Sequence, residues 1–194
     1  MKGCRPLTEA EVELMQASFG GTYGTRDRAL FLLGVKSGFR ISELLSLRLG
    51  DVWQHGRLVD RVTVQRRHMK NKQESRTVLL HPDAKAALAT WLCTLRQMLE
   101  CSPQTYVFRS RKGQNRAISQ VQAWRILHEA VRTNELPGKV GTHAMRKTFA
   151  NRIYHQSNRD LIKTQQAMGH KHVNSTQHYL SFLQEDIDAL ILAI

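Results

Sequence analysis

Three short stretches of this 194-residue chain hold side chains that could act on a phosphodiester. In GTHAMRKTFANRIY, His143 and Arg146 lie three residues apart near an expected helix start, so both point the same way. In MGHKHVNSTQHYL, His170 is followed nine residues later by Tyr179. In GFRISELLSLRLGDV, Arg40 stands just behind Gly38 at a helix N-terminus, and Glu43 could hold the arginine or cap the helix. Guanidinium groups grip nonbridging phosphate oxygens bidentately, imidazoles donate hydrogen bonds and move protons, and a phenol can be a nucleophile.

Other chemistry on phosphate is excluded by what is missing. Metal-dependent nucleases and polymerases need paired carboxylates to hold divalent ions, and the acids here are scattered, with no D-x-D or acid-acid-lysine arrangement beside the basic loops. No G-x-x-x-x-G-K-[ST] loop is present for a nucleoside triphosphate. A zinc site from His170, His172 and His178 lacks the usual spacing. The expectation is a reaction with no metal and no cofactor, in which side-chain cations neutralise the phosphate.

The charge balance agrees: 29 Lys and Arg against 16 Asp and Glu leave a formal +13, which suits a polyanion such as nucleic acid. The cations cluster. Arg61, Arg66, Arg67, Lys70, Lys72 and Arg76 surround a single Glu74, and Arg109, Arg111, Lys112 and Arg116 follow with no acid among them. Either cluster alone could be a solvated basic face; together they suit phosphate contacts along double-stranded DNA. Cys4, Cys93 and Cys101 form no C-x-x-C pair, and no apolar run approaches the roughly 18 residues of a membrane span. The expected setting is intracellular, with no membrane partner.

These groups need elements to place them. Thr8 and Glu11 form a capping box for a first helix, stopped at Gly20-Gly21. A second helix is expected from Thr25 to Lys36, broken by Gly38, and a third across RISELLSLRLGDV. Leu58, Val59, Val62 and Val64, then Val78 to Leu80, read as one antiparallel hairpin with its basic tip near residues 69–75. His81-Pro82-Asp83 starts a helix with Ala87, Leu88, Trp91, Leu92 and Leu95 inward, and Tyr106 to Phe108 is extended. Helices follow at about 119–132, 142–155 and 160–168, then from Val173 to Tyr179 towards a last one. The fold class is mostly α with a small antiparallel β-sheet.

On these residues the chain resembles the catalytic domain of the tyrosine recombinases, the phage-integrase family with Cre-like and Xer-like members. The family's block G-[LF]-R-x-S-E-L-x-x-L-x-x-x-D matches Gly38 to Asp51, and H-x-[LM]-R-[HK]-[ST]-[FA]-A matches His143 to Ala150. The block [LM]-G-H-x-x-[IV]-x-[ST]-T-x-x-Y matches Met168 to Tyr179. The three stand in order with a basic hairpin between the first two. Lys147 occupies a position where histidine is commonest, a tolerated variant that could also touch DNA.

The resemblance implies a recombinase that cleaves and rejoins DNA through a 3′-phosphotyrosyl intermediate made by Tyr179, with Arg40, His143, Arg146 and His170 as catalytic partners. It implies a hairpin lysine as general acid; Lys70 fits the usual form, and Lys72 is the alternative. It implies a homotetramer on synapsed DNA, with 181–194 as an apolar-striped helix exchanged between protomers or folded onto its own core. Residues 1–194 are read as a single catalytic domain without the usual amino-terminal core-binding domain, either an excised fragment or a short recombinase like the fimbrial phase-switch enzymes. Two rival activities are a type IB topoisomerase-like relaxation and a non-cleaving DNA-binding regulator.

Overall fold

The computed structural model describes residues 4–65, 75–180 and 191–192. It divides into two compact units, residues 1–149 and 150–194.

The first unit opens with α1 (Glu9–Ser18), and its capping box is complete. Thr8 Oγ1 accepts from the Glu11 N–H at 3.2 Å, and Glu11 Oε2 accepts from the Thr8 N–H at 2.9 Å. The same carboxylate takes Arg5, whose guanidinium also donates to the Pro137 carbonyl at 2.7 Å, tying the chain start to the loop before the segment that holds His143. α2 (Gly24–Ser37) is buried without interruption from Ala29 to Val35, so it is a central helix and shows no amphipathic stripe. It packs on α5 (Pro82–Met98), whose Ala87, Leu88, Trp91, Leu92 and Leu95 all face inward as expected. Trp91 is fully buried and donates its indole N–H to the Val107 carbonyl at 2.7 Å, so its polar edge is satisfied.

The third expected helix is two. α3 (Ile41–Ser46) stops at Leu47, which turns extended, and α4 (Leu49–Val52) follows. The cause is a long-range competitor for the backbone. The Val107 N–H donates to the Leu47 carbonyl at 2.9 Å, the Leu49 N–H to the Thr105 carbonyl at 2.8 Å, and Arg48 bridges Tyr106. The expected extended run is shorter than predicted: Tyr106 forms an isolated bridge while Val107 and Phe108 turn, and the segment takes its partner from the middle of the predicted helix.

The single expected hairpin is likewise two antiparallel pairs: β1 (Trp53–Gln54) with β2 (Arg57–Leu58), and β3 (Arg61–Val64) with β4 (Arg76–Leu79). Val64 lies opposite Arg76, and Val62 and Val64 point into the core. α6 (Gln120–Thr133) is capped by Ser119, which accepts from the Gln122 N–H at 3.0 Å. α7 (Thr142–Gln156) is pinned by buried Thr148, which accepts from the Leu7 N–H at 2.8 Å and donates to the Ala144 carbonyl at 2.8 Å.

In the second unit, Asp160 caps α8 (Leu161–Met168), and Gly169 ends it in the left-handed region at φ 64°. α9 (Val173–Gln177) is a short helix packed on α8. Among the described residues no helix is long and apolar enough to cross a membrane.

Candidate active site

In the first unit the site is built on the link between α2 and α3. Gly38 adopts φ 63°, which lets the chain leave α2 and set Arg40 at the head of α3 two residues later. Glu43 does both things open to it from the sequence. Its Oε2 accepts from the Arg40 N–H, and its Oε1 pairs with Arg40 Nη1, each at 2.8 Å. The Glu43 side chain has no solvent exposure, whereas Arg40 keeps 22%. A carboxylate that deep must be paired, and leaving it alone would cost about 3–5 kcal/mol, so Arg40 is held by more than a surface ion pair.

Arg146 arrives from α7 almost fully buried and donates a short hydrogen bond from Nη1 to the Gly38 carbonyl. Arg76 reaches the same place from β4, donating from Nη1 to the Gly38 carbonyl at 3.2 Å and from Nη2 to the Ser37 carbonyl at 2.9 Å. Its guanidinium lies 5.1 Å from the Phe39 ring centroid. Burial and then the Arg146 charge push the Arg76 pKa down to about 9, against the opposing pull of Glu43. Three arginines thus meet around one turn. Arg76, placed by the sequence among DNA-contacting cations, is turned inward.

Gly38 has no room for a side chain. A Cβ there would overlap the Phe149 ring, and the left-handed backbone adds about 1–2 kcal/mol for an L residue. Gly38→Ala is expected to lower stability by at least about 2 kcal/mol, read as a shift in urea midpoint at unchanged slope. A midpoint equal to that of the parent protein would show that the turn tolerates a side chain.

The other first-unit candidates lie on the surface. His143 is exposed at the start of α7, and Lys147 is half-buried. Arg111 and Lys112 are exposed, and Arg109 is half-buried beside its bridge to Ala117. A groove of about 560 Å³ is lined by Arg26, Arg111, Lys112, Arg116 and Arg125, with Tyr23 beneath the Arg26 guanidinium at 4.5 Å. Arg26 and Arg125 extend the basic loop seen in the sequence, and only folding brings α2 and α6 to it.

In the second unit, His170 and Tyr179 come together with ring centroids 5.2 Å apart. The Gly169 turn positions His170, whose N–H donates to the Gln165 carbonyl at 3.1 Å. The His170 Nδ1 is 3.0 Å from the hydroxyl of fully buried Thr176, which fixes the ring plane. Asn151 Nδ2 donates to the Tyr179 carbonyl at 2.9 Å. Thr176 was legible as the second threonine-type position of the third block, although its task was not; Asn151 left no signal in the sequence. Lys70, Lys72, Arg66 and Arg67 lie outside the described residues, as does the proposed exchanged helix except Ile191 and Leu192. Among the described residues no group of three His, Cys, Asp or Glu is placed to hold a metal ion.

The architecture is shared with solved recombinases. XerA recombinase superposes with a TM-score of 0.75 at 22% identity, covering 97% of this chain and 64% of that one. XerH bound to palindromic difH substrate gives 0.76 at 24% identity, covering 98% and 53%. The fold is therefore that of the tyrosine recombinase catalytic domain.

The chain belongs to the phage integrase family, whose profile matches residues 5–185. A probable integrase/recombinase of Bacillus subtilis, YoeC, is 30% identical over 161 residues, covering 83% of this chain and 80% of that protein. Tyrosine recombinase XerC of Xanthomonas campestris pv. campestris is 37% identical over 170 residues, covering 87% of this chain and 48% of its own length. The chain thus spans most of YoeC but about half of the XerC relative.

Proposed function

We propose that this chain is the catalytic part of a site-specific DNA recombinase that breaks and rejoins strands through a 3′-phosphotyrosyl intermediate. The observation that carries the reading is the arginine knot. Arg40 and Arg146 are fixed on one turn by a buried carboxylate and a backbone carbonyl, an arrangement ready to receive a phosphate. The basic groove between α2 and α6 supports duplex binding, and the relatives are named as recombinases and integrases.

In the reaction we assign, Tyr179 Oη forms a bond to the scissile phosphorus as the P–O5′ bond breaks. His143 takes the phenol proton, and the hairpin lysine, Lys70 in preference to Lys72, protonates the departing 5′ oxygen. Arg40 and Arg146 stabilise the pentacoordinate transition state, with a hydrogen bond from His170. Attack by a second 5′-hydroxyl on the phosphotyrosine reverses these transfers and rejoins the strand, so no nucleotide is consumed. Glu43 holds Arg40. Arg109, Arg111, Lys112 and Lys147 contact the duplex, with Arg66 and Arg67 from the hairpin, and the working assembly is a homotetramer on two synapsed sites.

The test uses duplexes selected for binding from a random-sequence pool and then nicked beside the cleavage site, so that the released fragment cannot rejoin. A detergent-resistant protein–DNA adduct is expected to form at an undiminished rate in excess chelator, because cations of the chain carry the neutralisation. Cleavage that is lost in chelator and restored by magnesium would identify a nuclease instead, and binding without any adduct would leave only a regulator.

A further inference from the structure

One arginine outside the reaction just described grips the turn that carries it. The link between α2 and α3 runs Ser37, Gly38, Phe39, Arg40, and Arg76 engages each of the first three: two successive carbonyls and the aromatic ring. Arg76 is 8% exposed, so the guanidinium that engages this turn is not a surface cation. Its strand fixes the approach, because Arg76 is the first residue of β4 and lies opposite Val64 of β3. A planar fork can donate to two neighbouring carbonyls at once while lying on a ring face; an ammonium is a point charge without that geometry.

The Gly38 carbonyl accepts from both Arg76 and Arg146. If Arg146 turns to a phosphate, that carbonyl needs a remaining donor, since a buried unsatisfied carbonyl costs about 1–3 kcal/mol. Arg76 supplies it. We infer that Arg76 is a positioning residue for phosphoryl transfer: it fixes the turn that sets Arg40 and keeps the Gly38 carbonyl satisfied when Arg146 engages the phosphate. This rests on the recombinase reading above. It assigns Arg76 to the arginine pair and not to DNA contact or to the hairpin lysine.

Arg76→Lys keeps the charge and loses the fork, and Arg76→Gln keeps one donor without the charge. Both are examined by thermal melting, by duplex affinity and by the single-turnover rate of adduct formation. The substrates carry either the natural 5′ oxygen or a 5′ sulfur, which leaves without a proton. A misplaced arginine pair should slow Arg76→Lys by about 100-fold, with affinity within about threefold of the parent. The loss should be the same on both substrates, whereas Lys70→Ala, the comparison, recovers on sulfur. Rescue of Arg76→Lys by sulfur would mean that it serves the lysine. A loss of affinity matching the loss of rate would mean DNA contact, and an unchanged rate in the folded variant would mean packing alone; each overturns the proposal.

The guanidinium N–H resonances give a readout independent of cleavage. Hydrogen exchange at Arg146 should quicken by about tenfold or more in Arg76→Lys as the turn loosens. Unchanged exchange would overturn the inference even if the protein cleaved nothing. A parent protein that forms no adduct while Arg146 exchange still responds would refute the recombinase reading and leave the structural coupling standing.

Discussion

Arg146→Ala is expected to slow adduct formation on a selected duplex by about 10³-fold, since removing one preorganised charge-stabilising donor typically costs about 10²–10³. The loss should fall on the cleavage rate and only weakly on affinity, because Arg146 is nearly fully buried and one phosphate contact is a small part of a duplex interface. Stability should fall too, as the Gly38 carbonyl loses one of its two donors, but by about 1 kcal/mol, because Arg76 remains on it. Arg146→Lys separates charge from geometry: it keeps the cation and loses the bidentate fork, and should fall between the parent and alanine variants. The check is a single-turnover time course beside a binding titration. An alanine variant that cleaves within about threefold of the parent would remove Arg146 from the reaction.

Most helices of this chain are legible because their starts are chemical. Thr8, Ser119 and Asp160 each cap the helix that follows, and Gly38 and Gly169 adopt the left-handed turns at helix ends that glycine allows. The inward face of α5 is readable from spacing alone. The break in RISELLSLRLGDV is not readable, because it depends on hydrogen bonds that the Leu47 carbonyl accepts from, and the Leu49 N–H donates to, a segment near residue 106, and local periodicity carries no trace of a distant competitor. The same limit hid the split of the small sheet into two pairs.

The site divides along similar lines. The contact of Glu43 with Arg40 was legible from their spacing, a local relation along one helix turn. The meeting of Arg76 with Arg146 was beyond reach, since it joins β4 and α7 through the carbonyl of Gly38 and backbone carbonyls have no letter in a sequence. Composition reads Arg76 as one more cation of a basic hairpin; burial and two carbonyl partners give it a different place. The order and spacing of the three blocks identified the family, and the family profile covers them all. The basic groove shows the converse, with Arg26 far from the loop cluster in sequence and beside it in the fold.

Tyr179 bears the central claim, and the change that isolates it removes one oxygen. The parent protein and Tyr179→Phe are incubated with the nicked selected duplex, quenched in detergent and digested, and the peptide that carries DNA is sequenced by mass. The account predicts an adduct in the parent protein, with the 3′ phosphate on Tyr179, and none in Tyr179→Phe, whose duplex affinity stays within about threefold because the lost hydroxyl is one contact among many. An adduct that persists in Tyr179→Phe, or a phosphate found on another residue, would contradict it.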